Sequence, residues 1–126
     1  MLKTALTPEM MFASGYLEAA KFTDGGPDHP EIEDAEFSAQ TYQKAMTQCM
    51  AFRHAARSDL ERAVQQVGYD WVRAGHDFWF TRNGHGVGYW DRKELGPDLG
   101  QSLTKAAQDL GEVSLEIGDD GFLILE

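Results

Sequence analysis

The chain has one cysteine, Cys49, in 126 residues. An internal disulfide is excluded, and a reducing compartment is the expected setting. Long apolar runs are also missing. No stretch approaches the roughly 18 consecutive apolar residues that a membrane span needs. The opening MLKTALTPEMMF lacks the apolar core of a secretory leader, so none is expected and the protein reads as cytoplasmic. The spacings HExxH, CxxC, GxxxxGK[ST] and GxGxxG do not occur, nor does a nucleophile elbow. Those absences remove the strongest signatures of zinc, nucleotide and covalent chemistry. No internal repeat or low-complexity tract is present.

Positive charge is scarce too. Eleven Lys and Arg face 21 Asp and Glu, for a net charge of −10. The distribution is uneven. Residues 1–43 carry −6 and residues 94–126 carry −7, while residues 44–93 carry +3 and hold all six Arg. Acidic flanks repel DNA phosphate at long range, so direct nucleic-acid binding is not expected. A basic partner protein is attracted instead. The length fits one domain, residues 1–126, which can bury roughly two-thirds of its unfolded surface without metal or disulfide.

Thr7-Pro8-Glu9 marks a helix start. Thr7 can cap, and Pro8 loses nothing at a first helical position. The helix is expected to run to about Lys21, with Phe12, Tyr16, Leu17 and Ala20 inward. Residues 24–36, DGGPDHPEIEDAE, hold six acids, two Pro and two Gly without a Lys or Arg, and read as an exposed acidic loop. A longer helix follows from about Ala35 to Arg57. Tyr42, Ala45, Met46, Cys49, Phe52 and Ala56 form its apolar stripe. Cys49 on that stripe reads as a buried structural thiol. Ser58-Asp59-Leu60-Glu61 has the pattern of a capping box opening a short helix that Gly68 ends.

Asp70 is then a candidate N-cap for a helix over about 71–82, closed by Asn83-Gly84. A hairpin through Phe78–Arg82, NGHG and VGYWD is the competing reading. Val87–Asp91 reads as a strand, and a helix from about Asp98 to Leu110 follows with Leu99, Leu103, Ala106, Ala107 and Leu110 on one face. Val113, Leu115 and Ile117 alternate with polar residues before GDDG and FLIL, a β-hairpin. The expected fold class is α+β, with N-terminal helices packed on a small C-terminal β-α-β-β unit containing a three-stranded, antiparallel-type sheet.

The residues GHDFWFTRNGHGVGYWDRK, Gly75 to Lys93, concentrate aromatic, charged and glycine residues as no other segment does. His76, Asp77 and His85 are metal-ligand or acid-base types, and they define a small enzyme or metal/ligand site as the alternative reading. Against it, adjacent residues on a helix cannot readily face one ion, and Asp77 can pair with Arg73 or Arg82. Asn83-Gly84-His85-Gly86 could form an anion nest, but a helix C-terminus disfavours anions. Trp and Arg dominate protein interfaces, and Trp71, Trp79, Trp90, Arg73, Arg82 and Arg92 lie close together in sequence. The competing account is that these aromatics are the core of a small domain, with the Arg at its rim.

GHDFWFTRNGHGVGYWDR resembles a motif, approximately GHDFWLTRNGHGAGFWDR, of small proteins encoded by bacteriophages and prophages. The following helix and hairpin are similar as well, so the likeness spans roughly residues 69–126. Phe80, Val87 and Tyr89 stand where the motif has Leu, Ala and Phe, exchanges that suit packing positions. The resemblance implies a phage or prophage accessory protein in a bacterial cytoplasm, and it transfers no catalytic residue and no cofactor. The expected role is a non-enzymatic binder or inhibitor of a host protein, such as a nucleic-acid-handling or defence factor. Arg82, His85, Trp90 and Arg92 are the expected binding residues.

Overall fold

The computed structural model describes residues 6–126; the first five, part of the opening read above for a leader, lie outside it. Helix α1 (Pro8–Asp24) opens where the sequence places it. The Thr7 hydroxyl accepts from the Met10 N–H at 3.1 Å, and Pro8 occupies the first turn. Helix α5 (Trp71–Arg82) also forms as a helix rather than a hairpin strand, with the Asp70 carboxylate accepting from the Arg73 N–H at 2.8 Å. Between them lie α2 (Pro30–Asp34), α3 (Ala39–Ala55) and α4 (Arg57–Ala63). After α5 come two single 3-10 turns, Tyr89–Asp91 and Lys93–Leu95, then α6 (Gly96–Gln108), β1 (Leu115–Ile117) and β2 (Leu123–Leu125).

Helices α1 and α5 touch backbone to backbone. A Cβ placed on Gly15 would stand 2.1 Å from the Val72 carbonyl oxygen, and one on Gly75 would stand 2.0 Å from that of Phe12. Each glycine removes the side chain that would hold the other helix away. Around this contact the aromatic core closes. Phe52 of α3 stacks on Phe78 of α5 with centroids 4.2 Å apart, and Tyr16 of α1 lies 5.0 Å from Phe78 and 5.2 Å from Trp79. Phe12, Tyr16, Phe52, Phe78, Trp79 and Tyr89 are fully buried. Such rings bury large apolar areas and contribute beyond area when offset or edge-on.

The sheet is smaller than expected. It has two antiparallel strands, with Leu115 opposite Leu125 and Ile117 opposite Leu123. Residues 87–91, read above as a third strand, form a 3-10 turn instead. The cause is local. The Tyr89 N–H donates to Thr81 Oγ1 at 3.1 Å, and its hydroxyl reaches the Ala74 carbonyl at 2.7 Å, so the segment folds back onto α5. The outer edge of β2 is met by the chain before α3. Leu123 N–H donates to the Glu36 carbonyl at 2.8 Å, a parallel bridge pairs Phe37 with Leu123, and Thr41 donates to the Leu123 carbonyl at 2.7 Å.

Three further expectations change. The acidic loop 24–36 contains the short helix α2, whose Ile32 packs against the core. Ser58 does not cap: α4 follows α3 after Ala56 alone, and Glu61 instead pairs with Arg57 at 3.2 Å. In α3 the buried face runs through Thr41, Ala45, Cys49 and Phe52, while Tyr42 is 55% exposed and meets Phe37 edge-on at 5.6 Å. Anchoring Thr41 to β2 turns Tyr42 outward. Among the described residues, no helix is long and apolar enough to cross a membrane.

Replacing Gly15 or Gly75 with alanine is expected to cost about 3 kcal/mol or more, because backbone atoms must separate to admit the methyl group. Alanine at Gly84, where φ is +66° and an added Cβ meets nothing within 4 Å, is expected to cost only about 1 kcal/mol. Urea unfolding of the three variants checks the order, and equal losses would refute the backbone contact.

Candidate functional site

The Gly75–Lys93 stretch is a helix, a glycine turn and a 3-10 turn folded back along that helix. Its polar side chains point largely inward. Asp77 is 1% exposed. The Arg92 Nε donates to both of its oxygens, at 3.1 and 3.0 Å, and Nη2 donates to Oδ1 at 2.7 Å. The Tyr69 hydroxyl donates to Oδ2 at 2.7 Å. The carboxylate is therefore fully engaged. Its pairing differs from the sequence expectation, since neither Arg73 nor Arg82 is its partner. Arg73 turns instead to the Gly68 carbonyl and, at 3.9 Å, to Glu94.

Arg82 is 6% exposed and joins four segments. Its Nε donates to the Gly111 carbonyl at 2.8 Å and Nη2 to the Leu110 carbonyl at 3.1 Å. Nη1 reaches the Tyr16 hydroxyl at 3.1 Å and Gln48 Oε1 at 3.2 Å, while the guanidinium lies 5.2 Å from the centre of the Phe78 ring. It supplies donors to carbonyls just past α6 that no helical N–H reaches. Burial raises the pKa of Tyr16, Tyr69, Tyr89 and Cys49. The Asp77 carboxylate adds to the rise at Tyr69 and Tyr89. The hydrogen bonds that Arg92 donates to Asp77 raise its own pKa.

The four residues expected to bind a partner thus separate. Arg82 and Arg92 are bonded internally. His85 is exposed beside Trp79 and Phe80, with ring centroids 6.5 and 6.4 Å away, and borders a cleft with Asp24, Asn83, Glu112 and Glu126. Trp90, 45% exposed, borders another cleft with Lys93, Gly96 and Pro97. The alternative set separates as well. His76 Nε2 lies 2.6 Å from Glu18 Oε1 of α1, whereas Asp77 turns to Arg92. Among the described residues no three His, Cys, Asp or Glu are grouped as metal ligands.

The surface that sequence reading missed lies on the outward side of α1. One groove is lined by Met10, Ala13, Leu17, Phe37, Tyr42 and Met46. A second, on the other flank, is lined by Ala19, Phe22, His76 and Phe80. Glu18 borders both. Phe22 is 77% exposed and Met10 39%. The available signal was Met10, Ser14, Glu18 and Phe22, four residues apart on α1 beside the core stripe.

No protein-family model, no curated protein and no solved structure matches the chain.

Asp77→Ala is expected to cost about 3–5 kcal/mol by leaving Arg92 charged and unpaired. Adding Arg92→Met should recover part of that loss, and strict additivity in urea unfolding would refute the coupling. A second expectation concerns alkaline pH. The folded tyrosine and Cys49 pKa values lie above their unfolded values, so above pH 9–10 the unfolded chain releases protons that the folded chain retains. Stability therefore falls as pH rises through the unfolded values, by about 1.4 kcal/mol per pH unit for each such group. Tyrosinate absorbance from the buried rings should appear together with unfolding; appearance well before it would overturn the assignment.

Proposed function

We propose that the protein is a non-enzymatic binding protein, a phage or prophage accessory factor that docks on a protein of its bacterial host in the cytoplasm. The phage setting rests on the resemblance over roughly residues 69–126 alone. One observation carries the binding role. Asp77, Arg82 and Arg92 of that stretch are bonded within the fold, while exposed apolar side chains remain along α1 beside an acidic segment. Asp77 holds Arg92, Thr81 Oγ1 holds the Tyr89 N–H, and His76 bonds to Glu18. A reaction centre needs a base or nucleophile free to meet substrate. A docking surface needs apolar anchors and a charge that selects partners. The six acids of residues 24–36 favour a basic host surface, such as the groove of a nucleic-acid-handling or defence protein.

Affinity capture from host lysate, with and without nuclease, tests this reading. A stoichiometric protein retained after nuclease treatment is expected. Recovery of nucleic acid alone, or loss of the captured protein under nuclease, would overturn it.

A further inference from the structure

We propose that the two grooves flanking α1 receive a cationic amphipathic helix of the partner, an inference that rests on the binding role above. The apolar floor comes from Leu17, Phe37 and Met46 on one flank and Ala19 and Phe80 on the other. Met10, Tyr42 and Phe22 stand higher and are 39%, 55% and 77% exposed. Met10 in the first groove and Phe22 in the second lie about 18 Å apart along α1, the length of a three-turn helix. Helices dock in this way by laying residues at three- and four-residue spacing into an apolar groove. Met46 in the floor and Met10 at the rim give adaptable, unbranched contacts.

Charge decides the occupant. Glu18 stands between the grooves with its side chain 67% exposed. The strip ends at the acidic segment. Phe22 lies two residues before its first acid, Asp24, and Phe37 follows its last, Glu36. Gly25 packs against the Glu33 backbone, where an added Cβ would lie 3.2 Å from the Glu33 nitrogen, so α2 sits against the end of α1. Among the described residues, Lys21 lies near the grooves, 5.9 Å from the centre of the Phe37 ring, and His76 bonds to Glu18. An apolar strip bounded mainly by carboxylates selects an apolar helix face bordered by Lys or Arg. A second copy, with a net charge of −10, would bring two acidic segments together.

The test uses a fluorescein-labelled synthetic peptide whose leucines form one helical face and whose remaining positions are lysine. A matched peptide carries glutamate in place of lysine. Fluorescence anisotropy with the whole protein is expected to show the lysine peptide binding at least about tenfold more tightly. Met10→Ser combined with Tyr42→Ser should weaken that binding by about tenfold or more. Val67→Ser, at a 95% exposed position outside both grooves, should not change it. Thermal unfolding confirms that the variants remain folded, since every substituted position is exposed. Equal binding of the two peptides, or lysine-peptide binding unaffected by the groove substitutions, would overturn the proposal. So would self-association abolished by the same substitutions, which would assign the grooves to a second copy. Lysate capture separates the two readings. A partner captured equally by the wild type and the groove variant leaves the binding role standing and removes the grooves, whereas no captured protein removes the binding role itself.

Discussion

The backbone contact between α1 and α5 is the constraint on which the rest of the structure depends. Gly15 meets Val72 and Gly75 meets Phe12, each at a distance that leaves no room for a methyl group. Close approach of two helices fixes both their separation and their register, because at these two glycines no side chain holds the backbones apart. With the register fixed, Tyr16 meets Phe78 and Trp79, and Phe52 from α3 stacks on Phe78 from the far side. The core is assembled on a helix pair rather than on a sheet. The two short strands are an attachment, held by Thr41, by Lys44 on the Leu125 carbonyl, and by Asp24 on the Leu115 N–H.

A buried polar network ties the remaining chain to that pair. Asp77 leaves α5 on the side away from α1 and gathers Tyr69 from before the helix and Arg92 from after it. Gly88 makes the return possible, since a Cβ there would lie 2.3 Å from Thr81 Oγ1 and 2.5 Å from the Trp90 ring. Arg82, one turn farther along α5, closes the other end by bonding the carbonyls past α6. These interactions account for much of the density of charged, aromatic and glycine residues in one stretch. Breaking one member leaves its partner buried and unpaired, which is costly, so such a network fixes geometry more than it adds net stability.

The helices were legible because their signals are local. Thr7 and Asp70 cap as their side chains require, and the periodicities of α1, α3 and α6 place Phe12, Cys49 and Leu103 inside. The C-terminal hairpin was legible from the alternation of residues 113–117 with the GDDG turn and the apolar run after it. The third strand was not, because VGYWD carries strand propensity that one long-range pairing, Tyr89 with Thr81 and Ala74, overrides. Tyr42 was misplaced for a similar reason: periodicity could not know that Thr41 bonds to a carbonyl 82 positions away. The candidate site was legible as an unusual stretch but not as a network. Arg82 and Arg92 look alike in sequence to interface arginines, and only the fold shows that their partners are internal.

The exposed strip on α1 follows from the same constraint. A helix pressed backbone to backbone against one neighbour has its closest contact on a narrow face, and the neighbour's side chains splay to either side. On one flank Phe80 and His76 of α5 line a groove, with His76 reaching Glu18; on the other, Met46 and Tyr42 of α3 line a second. Glycine at the contact therefore leaves space beside the contact. Small residues at Ala13 and Ala19 deepen that space, and no element of the described chain covers Phe22. The acidic segment lies at the end of this strip because Gly25 and Gly26 turn the chain there, placing α2 against the end of α1. The tight glycine contact inside the fold and the apolar, acid-bounded strip outside it are two consequences of one packing geometry.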